Sequence, residues 1–394
     1  MALVVGLRWL RLACRQRNPV GIGMKEGKGM KILLAGATGT LGIPLVRALI
    51  ASGHEVIGLS RTPGKGDKLR TLGAQPLIAD VMDRTALLNA VDGLEADAVL
   101  HEMTALKKIP TRHRDMAATD ALRQKGTTNL LAAARVLGAR RFVTQSFFMG
   151  YGYGDWGDKV LTEDDPFAPV ARSRFEQHLA AMRSTERQSF NADGIEGIAL
   201  RYGSLYGPGG ATEPMIEILR RRRLPVPRGG GGITSLIYVE DAATATLAAL
   251  ERGRSGEAYN VVDDEPVAWG EFFGAVAKAF GAPPPREVPR WVFRFLPYAR
   301  AMMLATTASP TPRPSASSSG CRALLPTARG SLGSYRRWAR GASVVTRDVS
   351  APSAAWPLQG ALPLRLGDSL GAACWRQNSY RRGSTPRRDG GLPA

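Results

Sequence analysis

The amino-acid sequence predicts an α/β protein organised around a doubly wound parallel sheet. Three observations carry that expectation. From Met30 onward, short apolar runs alternate with amphipathic segments of helical length. A turn with a glycine at every third position leads directly out of the first apolar run. Over 394 residues, 44% are hydrophobic and 22% charged, the balance of a chain that buries a sizeable core.

The elements follow in order. Lys31–Ala35 is an apolar run of strand length, and Leu41–Ser52 has helical periodicity. Glu55–Leu59 is a second strand, followed by a helix over Gly64–Leu72. Gln75–Ala79 is a short strand and Arg84–Val91 a helix. Asp97–His101 is the fourth strand, and Met116–Leu137 is expected to be one long helix. Arg141–Gln145 is a strand, Ser173–Ala192 a helix and Gly197–Tyr202 a strand. Strands separated by helices of this length demand right-handed crossovers, and these place helices on both faces of a parallel sheet.

The turn after the first strand reads Gly36-Ala37-Thr38-Gly39-Thr40-Leu41-Gly42. Each glycine has a physical task. Gly36 permits the sharp exit from the strand, Gly39 lets a diphosphate approach the backbone, and Gly42 lets the helix pack closely on the sheet. The helix N-terminus that follows offers unpaired amides and the positive end of a dipole. Because the glycines lie between a strand and a helix, they point to a dinucleotide site. The second strand ends in Leu59-Ser60-Arg61. An acidic residue there would bind the ribose hydroxyls of NAD. Arg61 instead suits a 2′-phosphate, with Ser60 as a further donor. The expected cofactor is therefore NADP, with NAD second. The bland alternative is that Arg61 is a solvated surface residue.

A net charge of +19 invites a nucleic-acid reading, but the charge sits at the ends. Residues 1–29 carry +5 and residues 308–394 carry +10, while 30–307 hold 34 basic and 30 acidic residues. Nucleic acid is therefore not an expected partner. Cys14, Cys321 and Cys374 also lie outside 30–307, so no disulfide framework or cysteine-rich zinc site is expected. The four histidines, His54, His101, His113 and His178, form no metal-ligand spacing. No apolar stretch is long enough to span a bilayer, and a cytoplasmic location is expected. Residues 1–29 are expected to be an unstructured extension, a targeting segment being the alternative. Residues 308–394 lack lysine and glutamate and show no sustained period, so we expect a disordered tail. Out-of-frame translation would explain it, and an arginine-rich arm for anionic partners is the other reading.

Further motifs recur in order: Asp80-Val81, VLHEMTA at 99–105, GTTNLLAAA at 126–134, LRYGSLYGP at 200–208, SLIYVEDAATA at 235–245 and EAYNVVDDEP at 257–266. Together with Gly36–Gly42, they resemble the extended short-chain dehydrogenase/reductase family, in particular its NAD-dependent epimerase/dehydratase branch, over about Met30 to Ala305. The resemblance implies a Rossmann domain over 30–206 and a small α/β substrate subdomain over 207–307. It places Gly36, Thr38, Gly39, Thr40, Leu41, Gly42, Ser60, Arg61, Asp80, Val81, Met103, Thr104 and Tyr202 at the cofactor. It also implies a closing C-terminal helical segment, which the sequence after Thr307 does not supply.

The family's chemistry uses a Tyr and a Lys four residues later on the helix after the fifth strand, where the cation lowers the phenol pKa. No lysine in this chain has a tyrosine four positions before it. Counted back from Glu186, which resembles the glutamate after that motif, His178 stands at the Tyr and Met182 at the Lys. His178 is thus either a general acid or a solvated helix residue. Ser146 either binds a substrate carbonyl or caps the strand end, since Phe148 stands at the family's serine position. Tyr151, Tyr153 and Tyr202 are substitute acids or packing residues. The loop GYGYGDWG at 150–157 is a lid or a surface loop, and Arg220–Arg223 is an anion site or a solvated helix end. The leading function is NAD(P)-dependent oxidoreduction, epimerisation or dehydration of a small carbonyl or sugar-like substrate. The alternative is a catalytically silent NADP-binding regulator. A homodimer is the expected assembly.

Overall fold

A computed structural model of the chain describes residues 29–307 other than 107, 108, 158 and 171. The expectations for residues 1–28 and 308–394 lie outside the described residues. The first stretch alternates strand and helix: β1 (Lys31–Ala35), α1 (Gly42–Ala51), β2 (Glu55–Ser60), α2 (Pro63–Thr71), β3 (Gln75–Ile78), α3 (Arg84–Val91) and β4 (Ala98–His101). It continues with α4 (Ala117–Ala121), α5 (Thr127–Val136), β5 (Arg141–Phe147), α6 (Glu176–Phe190) and β6 (Glu196–Tyr202). Then come β7 (Ser204–Tyr206), α7 (Thr212–Arg220), β8 (Pro225–Pro227), β9 (Ile233–Thr234), β10 (Leu236–Tyr238) and α8 (Val239–Arg252). The last are β11 (Ala258–Val261), β12 (Val267–Ala268), α9 (Trp269–Ala279), β13 (Arg286–Val288) and α10 (Pro297–Leu304).

Seven strands pair in the order β11-β6-β5-β4-β1-β2-β3, and every pair is parallel. The doubly wound sheet is therefore present. Its strands are apolar on both faces because helices cover both. Ile32, Leu34, Leu45, Val46, Ala245 and Ala249 fill one side, under α1 and α8. Leu33, Val99, Leu130, Ala134 and Phe142 fill the other. Local chemistry sets the helix starts. Asp83 caps α3 by accepting from the Ala86 amide at 3.0 Å, and Pro63 opens α2, where its missing N–H costs nothing.

The expected single helix over 116–137 is interrupted. Leu122–Gly126 forms a π turn between α4 and α5. Such a turn inserts one residue and frees backbone carbonyls. Here His101 Nε2 meets the Leu122 carbonyl at 3.4 Å, and Thr127 Oγ1 donates to the Arg123 carbonyl at 2.7 Å.

A second, smaller core gathers Tyr206, Met215, Leu219, Trp269, Phe272 and Phe293. The helical segment α10 closes against it, with Met303 buried, so the closing helix lies before Thr307 rather than in the tail. β1 is flanked by β2 on one side and β4 on the other. The carboxyl ends of β1, β4 and β5 therefore open on the crevice where sheets of this class bind ligands.

Candidate active site

The glycine turn stands at that crevice. Gly36 leaves β1 with φ of 99°, and a Cβ there would lie 2.5 Å from the Glu102 carbonyl oxygen. A side chain at Gly42 would run into the Gly36 carbonyl and the Ala37 backbone. Both positions therefore require glycine for the fold itself. Gly39 differs. It is exposed, and its Cβ would touch only the Gly36 oxygen, at 3.1 Å. No side chain caps α1 and no acid stands in its first turn, so the Thr40 and Leu41 amides have no acceptor among the described residues. An uncapped helix start above a side-chain-free glycine fits a diphosphate. Thr38 is half-buried in the turn, and the Thr40 side chain lies against Gly210, which brings the loop after β7 over the same spot.

Arg61 is exposed just beyond β2, two residues past Leu59, the register partner of Ala35. Its guanidinium has no hydrogen bond or ion pair among the described residues. Ser60 is buried, and its hydroxyl donates to the Thr62 carbonyl at 3.1 Å. It shapes the turn that carries Arg61. Asp80 is exposed and accepts from the Met82 amide at 2.9 Å. Val81 is buried, and its carbonyl is held by Asn129 Nδ2 at 2.7 Å. Past β4, the Met103 carbonyl accepts from Gln145 Nε2 at 2.9 Å, and Thr104 is exposed.

Helix α6 turns His178, Met182, Thr185 and Glu186 to one buried face, as their spacing requires. Glu186 holds Arg201 of β6 through two bonds, from Nε at 3.0 Å and from Nη2 at 2.9 Å. Thr185 joins Thr127 of α5 at 2.8 Å and Thr144 of β5 at 3.1 Å. With α6 locked in this way, His178 is fully buried, which overturns its reading as a solvated residue. Its Nδ1 lies 2.6 Å from Asp120 Oδ2, and its Nε2 lies 3.0 Å from His113 Nδ1. Asp120 can only accept, so His178 donates from Nδ1 and accepts at Nε2 from the His113 N–H. His113 is half-exposed and packs edge-on against Phe175 at 4.5 Å and Tyr298 at 5.3 Å. Burial, then the neighbouring His178 and Arg174, hold the His113 imidazole below its ordinary pKa. Met182, four residues after His178, is fully buried and carries no charge. Burial pushes the Tyr153 and Tyr298 phenols above their usual range.

Two tyrosines fall outside this group. Tyr151 donates to Asn260 Oδ1 at 2.8 Å and accepts from Arg201 Nη1 at 2.9 Å. Burial raises its pKa despite the arginine, and its hydroxyl is engaged on both sides. Tyr202 is buried on the α1 and α8 side of the sheet, with its hydroxyl on Thr246 at 2.7 Å and Glu102 at 3.2 Å. This is a core position, and its hydroxyl reaches Glu102, the residue that follows β4. Ser146 lies at the end of β5 on the face of Thr144, and its Oγ has no partner among the described residues. The loop at 150–157 is tied down: the Trp156 amide donates to the Thr306 carbonyl at 2.9 Å, and the Tyr153 ring packs at a tilt on Phe175, 4.2 Å between centroids. Arg220–Arg223 is an exposed helix end. Asp120, His113 and Arg123 were not singled out from the sequence. The sequence signal for Asp120 and Arg123 is an acid and an arginine three residues apart, among other polar residues of the same segment.

Residues 32–262 match the NAD dependent epimerase/dehydratase family. The chain belongs to that family. It is 38% identical over 265 residues to a 3-diazoavenalumate denitrifying reductase from a Streptomyces species, covering 66% of this chain and 84% of that protein. It is 28% identical over 274 residues to a 2-alkyl-3-oxoalkanoate reductase from Stenotrophomonas maltophilia, covering 64% of this chain and 77% of that protein. The UDP-glucose 4-epimerase of Thermus thermophilus, solved with NAD, superposes with a TM-score of 0.55 at 23% identity, over 71% of this chain and 91% of the epimerase. The family member described here is thus an NAD(P)-dependent enzyme of the oxidoreductase or epimerase/dehydratase class. Nothing in these similarities favours a catalytically silent regulator. Among the described residues, no helix is long and apolar enough to cross a membrane.

Proposed function

We propose that the chain is an NADP-preferring reductase of small carbonyl-type acceptors, in which a histidine pair backed by Asp120 supplies the proton. One observation carries this reading: His178 occupies the helix position two turns before Glu186, buried and hydrogen-bonded in line between Asp120 and His113. The reductive direction is supported by the two reductase relatives.

When bound, a nicotinamide cofactor supplies the hydride. The residues that would hold it are Gly36–Gly42 at the diphosphate and Arg61 at a 2′-phosphate. The chain's own task is the proton. His113 is half-exposed, and its Nε2, the ring nitrogen not engaged by His178, donates the proton to the acceptor oxygen as the C–O double bond is reduced to an alcohol. His178 Nε2 exchanges protons with His113 Nδ1, while Asp120 fixes the tautomer of His178 and balances its charge when protonated. This is the division of labour seen wherever a carboxylate orients a histidine. A lowered pKa makes the His113 imidazolium a stronger acid.

The test is a fluorescence titration of the full chain with NADPH and NADH, beside Arg61→Ala, followed by NADPH oxidation with a panel of aldehydes and ketones. The reading expects tighter binding of NADPH, weakened about tenfold or more in Arg61→Ala, and turnover of at least one acceptor. Equal affinity for both cofactors, unchanged in the variant, would remove the NADP preference.

A further inference from the structure

Arg123 is not used by the proton relay, yet it stands beside it. It belongs to the π turn after α4 and is 4% exposed. Its Nε and Nη1 have no hydrogen-bond partner among the described residues. The nearest carboxylate oxygen, Asp120 Oδ1, is 3.9 Å from Nη1, beyond hydrogen-bond reach. The other Asp120 oxygen is taken by His178 at 2.6 Å. Its other close electrostatic neighbours are the neutral phenols Tyr153 and Tyr298. Of these, Tyr153 packs against Phe175, and Phe175 and Tyr298 are the rings that flank His113.

A buried cation with unspent donors is costly unless an anion meets it. One carboxylate serves two cations here once the histidine relay is loaded: protonated His178 claims Asp120 by distance and geometry. Arg123 then only shares the Asp120 charge, at 3.9 Å, and keeps a planar fork whose Nε and Nη1 donors are unspent. That fork suits a carboxylate, which it grips through two parallel bonds.

We propose that Arg123 is the specificity-determining residue of this site and binds a carboxylate carried by the acceptor, setting the reducible group against His113. This rests on the reductase reading, since it assumes that the substrate enters beside the histidine pair. The substrate class is therefore an anionic carbonyl compound, a keto or formyl carboxylic acid.

The experiment separates binding from turnover. Full-length protein saturated with NADP is titrated calorimetrically with 4-carboxybenzaldehyde and with its uncharged methyl ester. The wild type is expected to bind the acid about tenfold or more tightly than the ester. Arg123→Gln is expected to erase that preference by weakening the acid alone, and Arg123→Lys to retain part of it. Equal binding of acid and ester by the wild type, no binding of either, or an intact preference in Arg123→Gln would overturn the proposal. Should Arg123→Gln fail to fold, the wild-type comparison and Arg123→Lys still decide it: a preference undiminished in Arg123→Lys would count against a bidentate grip. NADPH turnover of the two aldehydes is recorded in parallel. Selective binding of the acid without turnover would defeat the reductase reading and leave the carboxylate site standing.

Discussion

Replacing His101 by glutamine is expected to change how the protein responds to acid. His101 is fully buried at the end of β4, between the Met103 amide and the Leu122 carbonyl, each 3.4 Å from a ring nitrogen. Burial lowers its pKa from 6.5 to about 4, opposed by the Leu122 carbonyl and assisted by Arg123. The native protein therefore refuses a proton that the unfolded chain accepts. This contribution to stability is complete above the unfolded value of 6.5 and is lost as pH falls through the folded value of about 4. Lowering the pKa from 6.5 to about 4 corresponds to about 3 kcal/mol in all, of which about 1 is gone by about pH 5.5 and most by about pH 4. Glutamine offers one donor and one acceptor to the same partners and does not titrate. Urea unfolding of both proteins across this range reads the difference directly. Asp263, pushed up to about 7 by burial, acts in the opposite sense in both proteins and cancels. The wild type should lose about 3 kcal/mol more than the variant between about pH 7 and about pH 4. Parallel curves would refute the claim that His101 is held neutral.

Three further outcomes follow from the geometry. Gly42→Ala places a methyl group against the Gly36 carbonyl and the Ala37 backbone; a loss of about 1–3 kcal/mol in chemical denaturation is expected, together with weaker NADPH binding by fluorescence. Glu186→Gln leaves the buried Arg201 guanidinium without its charge partner, which should cost about 3–5 kcal/mol in urea unfolding. The His113 imidazole sits below its ordinary pKa of 6.5, and reduction needs its protonated form. Reductase kcat/KM should therefore fall as pH rises, with a midpoint below that value and about tenfold loss per pH unit beyond it, measured as a pH–rate profile.

The sheet was legible because its strands are continuous apolar runs buried on both faces, and the glycine turn because its spacing has one geometric solution. The same double burial hid the side of the sheet on which each strand residue lies. Tyr202 packs toward α8, and β6 shows no polar alternation from which that side could be read. The π turn was invisible because one inserted residue barely changes helical periodicity. The histidine relay escaped for a topological reason. His178 meets Asp120 and His113 across separations of 58 and 65 residues, and only the packing of α6 on α4 brings them together. Arg123 has no distinguishing spacing in the sequence, and its burial follows from its place in the π turn.

The central claim is that His178, oriented by Asp120, stands behind the proton given to the acceptor. The most direct measurement is kcat/KM for NADPH-dependent aldehyde reduction by His178→Gln, with the NADPH affinity of the same protein determined alongside. Loss of the group behind the proton donor is expected to lower kcat/KM by about 10²–10⁴-fold and, with the neighbouring His178 gone from beside His113, to shift the midpoint of the pH profile, with NADPH affinity unchanged. Wild-type turnover with an unaltered pH profile would contradict the account and return the proton to another group.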